Sequence, residues 1–197
     1  DKKLAELALL GAKTVLLYKL PATHKDEAIT AMLKTLKTVD FDVLVYPYAK
    51  SSSSSSTAQQ TIATWVKSMQ DDEGKNVTAV LPNYEADSEY TINSVQGVTL
   101  SDGSTLTVYE AAAWVGGITA GASVTKSNTA QKFIGAIDVT PRMPRSEQEA
   151  AIKAGKFLLD VDRSQNVTVV ADVNSLTTTT QDKGDIMKQN RSVRTAC

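Results

Sequence analysis

The chain has 197 residues, 42% hydrophobic and 22% charged, with 21 basic and 22 acidic side chains and a formal net charge of -1. That length argues for one domain able to bury roughly 70% of its unfolded surface. The charge balance excludes a polybasic nucleic-acid binder and an acidic tail protein; the single Cys, Cys197, excludes an internal disulfide and a cysteine-held zinc; the single His, His24, excludes a two-histidine metal site.

The first apolar stretch, Leu4 to Leu20, is broken by Glu6, Lys13 and Lys19 and falls short of a membrane span. No basic segment followed by a small-residue cleavage site opens the chain, which starts at Asp1 and is expected to be a fragment or processed product. Val15 to Tyr18 reads as a short buried strand ended by Pro21. Thr23 to Asp26 resembles a capping box, and Ile29, Met32, Leu33 and Leu36 then repeat at helical spacing, predicting a helix over about 24–38. Phe41 to Tyr46 is a second strand. Ser51 to Ser56 reads as a flexible loop. Ile62, Trp65, Val66 and Met69 predict another helix, with Gly74 as its stop, and Val77 to Leu81 a third strand. Strands joined by helices of this length read as βαβ units.

Further on, Val95 to Leu100 and Thr105 to Tyr109 flank Ser101-Asp102-Gly103-Ser104, a hairpin signal. Ala111, Trp114, Val115, Ile118 and Ala122 then share one face of a helix whose other positions include Gly116, Gly117 and Gly121. Glycine in a helix costs about 1 kcal/mol against Ala, so close approach of another backbone is the expected reason. Ile134 to Val139 predicts a strand, Pro141 to Pro144 a turn, Ser146 to Glu149 a capping box and Gly155 a helix stop. Phe157 to Val161 and Val167 to Val170 read as a hairpin over Asp162 to Asn166, followed by a polar segment, Thr177 to Lys183, and a closing helix from about Asp185. The fold class is therefore α/β: a mixed, mostly parallel sheet flanked by helices, with a β-hairpin insertion.

The catalytic motifs fall short. Gly116 and Gly121 have phosphate-loop spacing, but Ala122 follows where a Lys is needed, and Lys126-Ser127 is preceded by Thr125. His24 has no nucleophile elbow to serve. Asp71, Asp72 and Glu73 are adjacent on one element rather than convergent across a cleft. Asp172, Asn174, Asp182 and Asp185 lack the spacing of a calcium loop. Arg142, Arg145, Arg191 and Arg194 are candidate interface residues, because Arg pairs bidentately with carboxylates and is enriched at interfaces.

Three blocks carry a family resemblance. Glu110 to Gly121 running on to Lys126-Ser127, then Gly135 through Thr140-Pro141-Arg142 and Ser146 to Lys156, then Asp172-Val173-Asn174 with Asn190-Arg191 and Arg194-Thr195, resemble successive segments of contractile tail sheath proteins of myophages and phage-like particles of Gram-positive bacteria. Asp72 to Lys75 before a Val-rich strand fits as well, so the resemblance covers about 72–195. Asn128 departs from the family, which often has Leu there, and the chain stops at Cys197 where members continue into a C-terminal domain and arm. Residues 1–197 are therefore expected to form a single sheath core region, with the N-terminal arm and C-terminal domain apparently absent.

The resemblance implies a structural protein, not an enzyme, with no cofactor. Sheath subunits stack as rings around a tail tube and contract to drive the tube through a cell envelope. The implied partners are other sheath subunits, the tail tube protein and the baseplate, with no nucleic acid and no membrane insertion. The implied location is the virion tail, assembled in the bacterial host cytoplasm. Within the same machinery the alternative is a bacteriocin-like particle or related contractile injection system. Outside it, the alternative is an α/β nucleotide-binding or hydrolytic enzyme, which would need a pocket at the carboxyl ends of the parallel strands.

Overall fold

Single strands of this protein feed two cores, because successive side chains of a strand point to opposite faces. In the computed structural model, which describes residues 2–21, 26–48, 55–123 and 126–178, Val43 and Val45 of strand β1 (Val43–Val45) pack with one core while Leu44 packs with the other. Val80 and Ala79 of β2 (Thr78–Val80) divide in the same way. A strand covered on both faces belongs to a parallel sheet between helices. That is the arrangement found: β1, β2, β3 (Thr91–Ser94) and β7 (Lys156–Phe157) lie in that order, every pair parallel.

Helix α2 (Asp26–Leu36) and helix α3 (Ser55–Glu73) cover one face. Ile29, Met32 and Leu33 of the former meet Ile62 and Val66 of the latter over Ala79 and Leu81. Helix α3 supplies the crossover that parallel β1 and β2 require, and Gly74 ends it with φ +64°. The other face receives helix α4 (Val108–Gly121), and α1 (Lys2–Leu9) lies against α4. Between β3 and β7 sits the insertion: β4 (Gly97–Leu100), β5 (Thr105–Leu106) and β6 (Ala136–Thr140) in an antiparallel sheet ordered β5-β4-β6. Helix α5 (Arg145–Lys153) then leads to β7, and β8 (Leu159–Val161) and β9 (Val167–Val169) form a separate hairpin. Trp114 of α4 stacks on Phe133, with ring centroids 4.2 Å apart, at the centre of the core that joins the sheets.

The α/β class and the hairpin insertion hold, and several local expectations do not. Val15 to Tyr18 is not a buried strand: Leu16 and Leu17 are 66% and 62% exposed. Among the described residues the backbone of 13–20 makes no backbone–backbone hydrogen bond, and β1, with β2 on one side, is the edge of the parallel sheet. An apolar run shows a need for burial without showing where the burial is. The strand expected to continue to Tyr109 stops at Leu106, because Thr107 caps α4. The Glu110 amide donates to Thr107 Oγ1 at 3.3 Å, and the Thr107 amide donates to Glu110 Oε2 at 2.8 Å. This capping box was present in the sequence as Thr107-Val108-Tyr109-Glu110. The expected box at Ser146 to Glu149 does not form: α5 begins at Arg145 after Pro144, so Ser146 is already inside the first turn.

The segment Phe157 to Val161 splits, with Phe157 joining β3 in the parallel sheet and Leu159 onward pairing with β9. Ser55 and Ser56, expected in a loop, open α3, while Ser51 to Ser54 lie outside the described residues, as do His24 and the closing helix from Asp185.

Candidate subunit interface

The turn after β6 brings two of the four candidate arginines together. Arg142 follows Pro141 at the end of β6, and Arg145 opens α5 beyond Pro144. Arg142 Nε donates to Asp138 Oδ1 at 2.6 Å, and the Val139 amide donates to the same oxygen at 2.7 Å. The Arg142 hydrogen bond, reinforced by the Val139 amide, holds the Asp138 carboxyl below the usual carboxylate range. Arg145 Nε donates to Glu149 Oε1 at 3.1 Å, one turn along α5. The side chains of Arg142 and Arg145 are 63% and 90% exposed, so these pairings contribute little to stability. A guanidinium carries five donors in a planar fork, and each of these commits its Nε, so both can still meet an acidic surface from outside.

The turn beneath them is held from within. Gln96, 3% exposed, donates through Nε2 to the Pro141 carbonyl at 2.8 Å and accepts the Leu159 amide at 2.7 Å. Gln148 Nε2 donates to the Met143 carbonyl at 2.9 Å. One buried side chain thus ties the start of β4, the arginine turn and the start of β8. Replacing Gln96 with Ala leaves the buried Leu159 amide without its acceptor and should lower the unfolding free energy by about 2 kcal/mol. Urea denaturation measures it. Gln96→Glu keeps an acceptor for Leu159 but sets a carboxylate against the Pro141 carbonyl, so its penalty should be larger at neutral pH than in mild acid.

The same segment exposes Ile134 and Ile137, 72% and 47% accessible. Leu9 and Leu10, each 51% exposed, and Leu16, Leu17 and Tyr18 are further exposed apolar side chains. Lys13 and Lys19 flank that run, and no acidic residue occurs from Leu7 to Lys25.

The other candidate groups are structural where they are described. Gly116 to Gly121 lie inside α4, not in a loop, and their small size admits neighbouring chains: a Cβ on Gly117 would strike the Ala8 carbonyl, and one on Gly121 the Gly11 carbonyl. Glu73 pairs with Lys37 at 2.6 Å across an open cleft of about 650 Å³ between α2 and α3, over Leu33, Trp65 and Met69. Asp172 and Asn174 are 4% and 0% exposed. Asp172 accepts the Asn128 amide at 2.9 Å and so holds two distant segments together, and Asn174 accepts the Leu176 amide at 3.1 Å and so fixes a local turn. Arg191, Arg194, Asp182 and Asp185 lie outside the described residues.

The architecture is thus that of an α/β domain with a parallel four-stranded sheet, an antiparallel insertion and exposed apolar and arginine-bearing surfaces. Residues 22–175 match the family described as the phage tail sheath protein central domain, and the chain belongs to that family. It is 36% identical over 166 residues to the phage-like element PBSX protein XkdK of Bacillus subtilis, covering 84% of this chain and 35% of that protein. Against the tail sheath protein of Clostridium phage phiCD119 the identity is 28% over 172 residues, covering 87% of this chain and 46% of that one. It superposes on the crystal structure of the sheath tail protein from Desulfitobacterium hafniense with a TM-score of 0.81 and 34% identity, over 92% of this chain and 45% of that chain. The chain therefore spans less than half the length of these relatives.

Proposed function

We propose that the chain is the core region of a structural subunit of a contractile tail sheath, one that stacks as rings around a tail tube and contracts to drive the tube through a cell envelope. The observation that carries this reading is the family match over 22–175, joined to a TM-score of 0.81 with a sheath tail protein at 34% identity. The partners are other sheath subunits, the tail tube protein and the baseplate, and the location is the virion tail, assembled in the host cytoplasm. The kinship with a protein of a phage-like element favours a second form of the same machine, a bacteriocin-like particle or related injection system.

Physically, a contracting sheath needs contacts that exchange at low cost, and exposed arginines on a rigid turn suit that role better than buried apolar faces. Electron microscopy of the purified gene product at high concentration, alone and with its tube protein, is expected to reveal hollow helical tubes of uniform width. Dispersed particles in both preparations would count against assembly. Arg142→Glu combined with Arg145→Glu should shorten or abolish the tubes while lowering the melting temperature by at most about 4–8 °C, since exposed pairs are worth at most about 1 kcal/mol each and each kcal/mol is about 2–4 °C for a chain of this length. Tubes unaffected by the double reversal would remove these two residues from the interface.

A further inference from the structure

Two kinds of attachment hold residues 174–178 to the rest of the fold. The first is buried. Asn174, Ser175 and Leu176 are 0%, 2% and 3% exposed, and the Ser175 amide donates to the Thr91 carbonyl of β3 at 2.8 Å. The Ser175 hydroxyl bonds the Thr91 hydroxyl at 2.5 Å, donates to the Ser88 carbonyl at 3.1 Å and accepts the Ser88 amide at 3.3 Å. A Cβ built on Gly155 would come within 2.7 Å of the Ser175 carbonyl, so the turn between α5 and β7 also closes on this segment.

The second attachment begins one residue later and is exposed. Asp87, in the loop between β2 and β3, gathers four donors from two consecutive residues. Its Oδ1 accepts the Thr177 amide at 2.6 Å, the Thr177 hydroxyl at 2.9 Å and the Thr178 amide at 2.9 Å, while Oδ2 accepts the Thr178 hydroxyl at 2.6 Å. Asp87 adopts φ +45°, a backbone conformation that an Asp or Asn tolerates better than most side chains. These bonds hold its carboxyl far below the ordinary carboxylate range, the Thr178 hydroxyl first among them. Asp87, Thr177 and Thr178 are all exposed, so water can replace each bond as it breaks. Opening this contact strands no buried polar group, whereas opening the Ser175 contact would.

We infer that Asp87 is a surface latch on the Thr177–Thr178 segment, and that the buried Asn174–Leu176 anchor is the fixed pivot about which Thr177 and Thr178 turn when the latch opens. The latch sets the direction of Thr177 and Thr178 without taking part in the α/β core. It rests on contacts within one chain and stands even if the assembly reading fails.

Backbone ¹⁵N relaxation on the whole 197-residue chain tests it. In the wild type, Thr177 and Thr178 should have order parameters near those of rigid backbone, about 0.85. Asp87→Gly deletes all four acceptor contacts while accepting the positive φ, and should drop both residues below about 0.6. Asp87→Asn keeps Oδ1 as an acceptor and should give a smaller fall. Thr178→Val removes the Oδ2 contact and leaves the carboxylate charge in place, and should give a partial fall at Thr178. Thr91, Asn174 and Ser175 should be unchanged in all three variants.

Thr177 and Thr178 staying rigid in Asp87→Gly would overturn the latch, as would their being below 0.6 in the wild type. Loss of order spreading to Thr91 and Ser175 in Asp87→Asn would make Asp87 part of the core and overturn the fixed pivot.

Discussion

Trp114→Ala is expected to lower the unfolding free energy by about 3–5 kcal/mol. At about 2–4 °C per kcal/mol for a chain of this length, the melting temperature should fall by roughly 10 °C. Trp114 is 1% exposed and lies almost parallel to Phe133, at an interplanar angle of 5°. Five of its neighbours on α4, Ala111, Ala112, Ala113, Gly116 and Gly117, are too small to fill the vacated space, and Val115 and Ile118, the larger residues beside it, are already packed in the same core. The cavity therefore persists, which places the cost toward the upper end of the range. The stack adds about 0.5–1.5 kcal/mol beyond the buried area. Trp114→Phe keeps a ring against Phe133 and should recover more than half of the loss. Trp114→Ala and Phe133→Leu should be less than additive when combined, since each alone already breaks the stack. A cost below about 1 kcal/mol for Trp114→Ala would mean that the insertion sheet closes onto α4 without it, contrary to this packing.

The parts of this fold that were legible in the sequence are those whose burial follows a period. Ile29, Met32 and Leu33, and Ile62, Val66 and Met69, are spaced for one helical face and are found buried on one face. The glycines of α4 signalled close approach and meet the Ala8 and Gly11 backbones and the Val45 side chain. What periodicity misses is polar burial. Strand β3 is Thr91-Ile92-Asn93-Ser94, buried at every position yet lacking an apolar run. Two of its polar side chains are bonded instead: Asn93 Oδ1 accepts the Tyr84 amide at 3.1 Å, and Thr91 meets Ser175 from far along the chain, while Ser94 Oγ is buried without a hydrogen-bond partner among the described residues. Such partners are set by tertiary contacts and leave no local trace. The same holds for Gln96, whose two partners lie 45 and 63 residues away. Helix α1 escaped because its pattern merges into the apolar run that follows. Arg142 and Arg145 stand out in the sequence only by residue type, and the turn that presents both is tied to Gln96 beneath it.

Gly117→Val sets two of these rules against each other. Helix propensity favours almost any residue over Gly inside α4, by up to about 1 kcal/mol. Packing opposes it. Gly117 and Gly121 are four apart and share a face, and α1 runs along that face in the same direction, with Lys3 pairing with Glu110 at 3.2 Å, Ala8 over Gly117 and Gly11 over Gly121. The obstructing atoms are backbone carbonyls, which cannot rotate away as the end of a side chain would. A branched side chain at 117 must therefore lift α1 off α4. The cost saturates at the free energy of that undocking, set by Leu7, 8% exposed, and the partly buried Leu4. At about 1.5–3 kcal/mol for a fully buried Leu, that ceiling is near 3 kcal/mol. Gly121→Val should approach the same ceiling, and the double variant should cost little more than either single one, because α1 can be displaced only once. Gly116 faces Val45 of β1 instead, so Gly116→Ala should add to the Gly117→Val loss rather than share its ceiling. Amide exchange separates the mechanisms: residues 3–9 should exchange rapidly in the Gly117 and Gly121 variants while β2 keeps the protection set by global unfolding. Full additivity of the two valines would mean that α4 distorts at each site separately, and that α1 is bound more firmly than its two leucines account for.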